Sequence, residues 1–488
     1  MKRIFCLLLT ALLLTGCAAG ENSPAASVSP EQGEGEVLIE LSDEGIKTKS
    51  LSVFATNDII YYEDMEAYES GNPYGEGTDA DKHTAEEAAA HTVVNITKPG
   101  TYRVTGKLSA GQIRVDLGEN AYDDETAVVE LILDNADITC TVAPAILFLN
   151  VYECDGDWDK DTAKAEVDTS CAGANLILEG ENTVSGSYVA RIYKDKEGEK
   201  KLWKQDGAIY SYMSMNVSGS GGLDLTAENE GIDTELHLTI NGGDITIRSG
   251  NDGINTNEDN VSVTTINGGN LHIMAGLGVE GDGIDSNGFL VINGGTVVSA
   301  AHPASDAGLD SSCGSFIHGG TVIALGSTMD WAESDSKQVT MNLQFAQYRS
   351  PDDAIVITKE DGTEVFSYDM AADAVMGENA RQFSGMVISC ADFKQGDTYL
   401  VYTGSEQMQY TGTDVMRRPG GFGGERPGGV SPEGFDGQPP ADFDRKPPEG
   451  FGGGKGGNRG EAPDREGSTA FYMQDKVNFF SGLTETTE

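Results

Sequence analysis

The chain has 488 residues, with 79 acidic against 32 basic side chains and a formal charge of −47. That charge excludes a nucleic-acid partner, since every phosphate would be repelled, and it disfavours direct capture of an acidic polysaccharide unless divalent cations bridge the two surfaces. The length allows two or more domains and an ample core.

Met1-Lys2-Arg3, an apolar run from Ile4 to Leu14 and then Thr15-Gly16-Cys17 have the layout of a secretion signal, residues 1–17. The run is too short to span a bilayer as a stable helix. Small residues ending in Cys resemble the bacterial lipobox. Cys17 is therefore expected to be acylated and to hold the protein, through its N-terminal lipid, on the extracellular face of a bacterial cell membrane. Residues 18–36, rich in Ser, Pro, Gly and Glu, read as a flexible tether. Without Cys6 and Cys17 five cysteines remain, Cys140, Cys154, Cys171, Cys313 and Cys390, with no metal-ligand spacing. An odd count over so long a span suggests small buried fillers, with one bridge between Cys154 and Cys171 left open.

Residues 37–92 carry no clear pattern beyond a strand-like Leu51-Ser52-Val53-Phe54 and a helical turn at Glu86 to Ala90. From Val93 short β-rich runs take over, among them Thr101 to Val104, Gly111 to Asp116 and Val128 to Leu133, separated by Gly, Pro and Asp. This pattern predicts an all-β domain over residues 93–327. Within it, Asp155, Asp157, Asp159, Asp161 and Glu166 follow EF-hand ligand spacing, but Lys160 stands where that loop needs Gly and no flanking helices are evident. A cation or plain solvation both suit this loop. A charged stretch from Asp195 to Lys204, holding Trp203, leads into Asp206-Gly207-Ala208-Ile209-Tyr210.

The next hundred residues repeat. Ile240-Asn241-Gly242-Gly243, Ile266-Asn267-Gly268-Gly269, Ile292-Asn293-Gly294-Gly295 and Ile317-His318-Gly319-Gly320 are spaced 26, 26 and 25 residues apart. Between them runs a second phrase, Glu230-Gly231-Ile232-Asp233, Asp252-Gly253-Ile254-Asn255, Asp282-Gly283-Ile284-Asp285 and Ala307-Gly308-Leu309-Asp310. A period of this length with short strands and no helical pattern matches one turn of a parallel β-helix. A meander of Asn-Gly hairpins is the alternative, but it gives no reason for a second motif in register.

Stacking has an electrostatic consequence. Superposed turns would place Asp233, Asn255, Asp285 and Asp310 in a ladder at roughly the 4.8 Å strand spacing, where bare carboxylates repel by about 3 kcal/mol per pair at an effective dielectric near 20. From Gln205 to Ser336 there are eighteen acidic side chains and one basic, Arg248. Protein cations cannot neutralise such a column, and oxygen donors suit calcium better than zinc or copper. The candidate ligands are Glu230, Asp233, Asp252, Asn255, Asn257, Asp259, Glu280, Asp282, Asp285, Asp306 and Asp310. A solvated acidic face is the plain alternative.

After Ser327 alternating strands such as Val339 to Leu343, Ala354 to Ile357 and Thr398 to Tyr402 predict a small β-sandwich-like domain over residues 338–412. Residues 417–468 hold sixteen Gly and eight Pro and read as a disordered insertion. Residues 469–488 turn apolar again and read as a returning strand.

From about Ile96 to Tyr402 the phrases resemble a family of secreted bacterial carbohydrate-binding proteins built on a right-handed parallel β-helix. The resemblance is most specific at Gly111 to Asp116, at Asn229 to Leu238, at Asp252 to Asp259 and at Glu280 to Gly288. It implies cellulose or pectic-acid binding, calcium held by acids of the turns, and no known catalysis. The fold also serves lyases and hydrolases. A lyase needs a basic side chain as well as a cation, and only Arg248 or the lysines near 191–204 could supply it. A calcium-loaded, noncatalytic polysaccharide binder is the leading expectation; a calcium-dependent lyase or glycoside hydrolase and a structural surface protein are the alternatives. No catalytic residue is assigned. Trp158, Trp203 and Tyr210 are the candidate sugar-stacking side chains, against the commoner role of aromatics as core.

Overall fold

The computed structural model describes residues 35–62, 81–196, 199–304, 306–327, 332–414 and 467–486. The proposed signal, with Cys17, and nearly all of the tether and the Gly/Pro insertion lie outside the described residues.

The chain is nearly all β, and its repeat becomes three parallel ladders. The Asp-Gly-Ile phrase supplies Gly207–Ser211, Glu230–Thr234, Ile254–Thr256, Ile284–Ser286 and Asp310–Ser311, each paired in parallel with the next. The residues before each Asn-Gly-Gly supply Met215–Gly219, Leu238–Ile240, Val263–Ile266, Phe289–Ile292 and Gly314–Ile317. Those after it supply Gly222–Ala227, Asp244–Ser249, Asn270–Met274, Thr296–Ala300 and Thr321–Gly326.

Parallel register puts like over like. Ile232, Ile254, Ile284 and Leu309 form one buried row, and Ile240, Ile266, Ile292 and Ile317 another, each at most 1% exposed. Side chains alternate across a strand, so the Asp or Asn after each apolar residue of the Asp-Gly-Ile phrase points to the opposite face. The glycines answer two different demands. In Asn-Gly-Gly the second glycine has positive φ, +107°, +92°, +80° and +86° at Gly243, Gly269, Gly295 and Gly320, which makes the corner. In Asp-Gly-Ile the glycine lets rungs approach: a Cβ on Gly253 would lie 2.2 Å from Ile273 Cγ2 and 2.5 Å from the Gly283 carbonyl.

The ladders extend beyond residues 93–327 at both ends. Val37–Leu41 pairs in parallel with Gly100–Leu108, so residues 37–92 contribute a rung where the sequence showed no pattern. Val53–Thr56 lies antiparallel to Thr92–Ile96, and the Ala85–Ala89 helix is closed by a capping box between Thr84 and Glu87.

At the other end the strands of the expected small β domain continue the sheet of the ladder. Phe383–Ser389 pairs antiparallel with Thr321–Gly326 and with Thr340–Arg349, which in turn pairs in parallel with Val477–Glu485, so one sheet continues from the ladder into the C-terminal strands. The reason is the changing outer face of the third ladder. Thr246 and Arg248 give way to Val298 and Ala300 and then to Ile323 and Leu325, which pack with Met341, Met386, Ile388 and Phe345 in a second core. The C-terminal strands bury this apolar face and pair the last edge, which would otherwise present free backbone groups. Among the described cysteines none is bridged. Cys140 and Cys390 are buried fillers, whereas Cys154 and Cys313 are half-buried and Cys171 is exposed.

Replacing Gly253 by Ala should overpack the contact between rungs and lower stability by about 1–3 kcal/mol, read as a lower urea midpoint with an unchanged slope. A midpoint equal to that of the native protein would show that the rungs are not held this closely.

Candidate metal centre

The second phrase places its acids by register. Asp233 faces Asn255, Asn255 faces Asp285 and Asp285 faces Asp310 across successive parallel pairs, while Tyr210 takes the same position one rung earlier. Asp206 arrives from the preceding loop, and its carbonyl accepts the Glu230 amide at 3.1 Å. Asp206, Glu230 and Asp233 thereby offer carboxylate oxygens within 4.8 Å of one another, all buried. Two oxygens bound to one calcium at 2.3–2.6 Å can lie up to about 5 Å apart, so this spacing suits a shared cation.

The local bonds leave specific atoms over. Asn257 Nδ2 donates to Asp233 Oδ1 at 2.8 Å, and Asn255 Nδ2 donates to Glu230 Oε2 and to Asn257 Oδ1, each at 3.2 Å. Asp233 Oδ2 and Asn255 Oδ1 remain buried with no hydrogen-bond partner among the described residues. An orphaned buried acceptor is costly, and both atoms are hard oxygens. The donor set therefore fits a cation of the calcium type, with Asp206, Glu230, Asp233 and Asn255 as its holders. Lys204 forms an ion pair with Asp206 at the rim.

Burial sets the electrostatics. Glu230 and Asp233 are pushed well above the usual carboxylate range, first by loss of water and then by neighbouring carboxylates. The same causes raise Asp252 and Asp282 to about 8, and Asp285, beside Asp310, to about 6.

The remaining sequence candidates separate into two groups. Asp252, Asp282 and Asp306 act on backbone: Asp252 Oδ1 accepts the Asp282 amide at 2.7 Å, Asp282 Oδ1 accepts the Ala307 amide, and Asp306 Oδ2 accepts the Gly281 amide at 3.0 Å. Asp259 and Glu280 are exposed and stand apart from the carboxylate cluster. In the 155–166 loop, Asp155, Asp157 and Asp159 each accept the amide two residues on, so part of their oxygen capacity closes consecutive turns.

The aromatic candidates change rank. Tyr210 is fully buried, donates to Glu235 and stacks edge-on with Tyr212 at 5.0 Å, so it walls the carboxylate centre and is no sugar platform. Trp158 is 37% exposed, with its Nε1–H donating to Tyr122 Oη at 2.8 Å. The side chain of Trp203 lies outside the described residues, although its backbone pairs with Ile192 in a hairpin. Arg248 is ion-paired with Asp224 at 2.6 Å on the outer face. The acid that the sequence list missed is Asp206, whose Asp-Gly-Ala-Ile context is an imperfect copy of the repeated phrase.

Over residues 90–392 the chain matches the family model described as carbohydrate-binding domain-containing protein. A carbohydrate-binding domain-containing protein of Acetivibrio thermocellus is 30% identical over 157 residues, covering 32% of this chain, and the match spans 45% of that relative's length. The solved polysaccharide lyase-like protein from C. thermocellum, a gadolinium derivative, aligns at 20% identity over 59% of this chain and 93% of its own, with a TM-score of 0.32.

The raised carboxyls fix the sign of a pH effect. Asp252 and Asp282 hold protons when folded up to about pH 8, whereas the unfolded groups release them near their ordinary value of 3.8. Between those values the folded state binds more protons, so stability falls as pH rises, by about 1.4 kcal/mol per pH unit for each such group. In chelator, the urea midpoint should drop from pH 5 to pH 8, and Asp252→Asn with Asp282→Asn should flatten the slope. A midpoint that climbs over this range would contradict protonated carboxyls in the column.

Proposed function

The chain belongs to the family of carbohydrate-binding domain-containing proteins, and from that membership we propose that it is a noncatalytic binder of acidic or cellulosic polysaccharide, organised on a right-handed parallel β-helix loaded with calcium. The observation that carries the calcium reading is the trio Asp206, Glu230 and Asp233, buried within 4.8 Å of one another beside the orphaned oxygens of Asp233 and Asn255. A bound calcium supplies two positive charges where, among the described residues, Lys204 alone is ion-paired with the trio.

This chain's residues then divide the work. The carboxylates and Asn255 hold the cation and tie adjacent rungs, while Tyr210 and Tyr212 keep water from the centre. Neutralising the column lowers the barrier that a charge of −47 raises against a polyanion. Trp158, on the exposed acidic loop, is the side chain best placed to stack on a sugar ring. The lipobox reading adds a site of action: lipid on Cys17 would hold the binding domain at the outer face of a bacterial cell membrane, where polysaccharide is met.

Calorimetric titration of calcium and then polygalacturonate into the protein tests the reading. Calcium should bind with release of protons, since raised carboxyls must ionise to receive it, and Asp233→Ala should weaken it at least tenfold. Polysaccharide binding should be saturable, with no rise in the ultraviolet absorbance of unsaturated uronate products. Growing absorbance would make the protein a lyase. Calcium uptake without any glycan binding would reduce the centre to a structural tie.

A further inference from the structure

Where the stacked rungs meet the C-terminal strands, an open cleft of about 270 Å³ is lined by His318, Lys337, Gln338, Phe393, Lys394 and Lys476. Three lysines in one cleft reverse the character of the preceding ladder, which carries eighteen acidic side chains and one basic between Gln205 and Ser336. The Lys476 ammonium donates to the Lys337 carbonyl at 3.0 Å and that of Lys394 to the Ala391 carbonyl, so each keeps further N–H donors. Among the described residues none of the three lysines is ion-paired; of the acids nearby, Glu166 acts on His318. Asp397 lies 4.0 Å from Lys359, and Asp475 accepts the Lys476 amide at 2.9 Å.

His318 links the cleft to the repeat. It takes the position that Asn241, Asn267 and Asn293 hold in the three earlier corners, as the register of the preceding isoleucines fixes. Those asparagines bond one to the next at 2.8 and 2.9 Å, an exposed column of amides that leads to the cleft. Burial and Lys337 lower the pKa of His318. A charged ring is thereby disfavoured, and the cleft's positive charge is carried by the lysines.

We propose that this cleft is a subsite for an acidic sugar, in which the three lysines receive the carboxylate of a uronate residue while the asparagine column lies along the neighbouring glycan. The inference rests on the reading of the chain as a carbohydrate binder. A carboxylate entering the cleft exchanges water for charge-assisted hydrogen bonds, and at physiological salt the repulsion of distant acids fades over about 8 Å. The cleft is thus a place where a polyanion meets attraction without a bridging cation.

The test is titration of galacturonate oligomers, neutral cello-oligosaccharides and inorganic phosphate into the native protein and into Lys337→Gln, Lys394→Gln and Lys476→Gln, with calcium present throughout. Each substitution should weaken galacturonate binding about tenfold, the scale of one charge-assisted hydrogen bond, with calcium affinity and melting temperature unchanged. Lys337→Arg should retain most of the affinity. Native galacturonate affinity in all three variants would overturn the subsite while leaving carbohydrate binding intact elsewhere. Phosphate binding as tight as galacturonate would make the cleft a general oxyanion site and overturn the uronate assignment. Native protein that binds neither class of oligosaccharide would remove the carbohydrate reading and this inference with it.

Discussion

Parallel register is the constraint on which the rest of this molecule depends. When each strand lies in register on an equivalent strand about 4.8 Å away, every side chain has a near copy of itself as neighbour. For Ile232, Ile254 and Ile284, or Ile240, Ile266 and Ile292, that is favourable, because identical branched side chains fill identical space and stay dry. The same rule forces Gly231, Gly253 and Gly283 to remain glycine, since a Cβ on any of them would meet the next rung or the side chains it packs against at under 3 Å. Stability is therefore shared along the stack between neighbours, as in other repeat architectures.

For charged positions the rule turns unfavourable, and the chain answers it in three ways. Asn255 interrupts the column between Asp233 and Asp285. Asp252, Asp282 and Asp306 turn their oxygens to backbone amides of the adjacent rung, so each becomes a tie between rungs. Asp206, Glu230 and Asp233 converge, and their buried oxygens exceed the donors that the chain provides. An excess of buried acceptor oxygens over donors calls for protons, water or a cation, and this is why a metal reading attaches to these three and not to the acidic surface in general.

The sequence revealed what depends on periodicity. Period, register and the Asp-Asn-Asp-Asp column were all legible, because a residue recurring every 25 or 26 positions needs only one spatial assumption to be placed. Features that depend on a single contact were not legible. Asp206 lies in a degenerate copy, and only the fold shows that its loop reaches Glu230. Val37–Leu41 has no partner phrase, yet it finds Gly100–Leu108 because an open ladder end offers unpaired backbone groups. Tyr210 was a candidate sugar-stacking side chain, but the register puts it in the Asp233 column, where it is enclosed. The C-terminal strands read as a small sandwich-like domain because alternation reports one buried face without naming the partner. The clue was the drift of the third ladder's outer residues from Thr246 and Arg248 to Ile323 and Leu325.

The formal charge of −47 is not the charge that a ligand meets. In the metal-free fold Glu230 and Asp233 are pushed far above the usual carboxylate range and Asp252 and Asp282 to about 8, so protons occupy part of the column at neutral pH. A cation that displaces them leaves the column near the same charge but ties the rungs with bonds that protons cannot make. The remaining acids are largely exposed, where screening limits their reach. Attraction for an acidic ligand must then come from places where positive charge is concentrated and not paired away. Arg248 is bonded to Asp224, Arg103 to Glu36, Asp134 and Glu179, and Arg114 to Asp58. Lys394 and Lys476 of the junction cleft differ from these arginines in having carbonyls, and no carboxylates, as their partners among the described residues. The division of the chain into an acidic ladder, which its own cations cannot neutralise, and a basic junction follows from where charge can be paired.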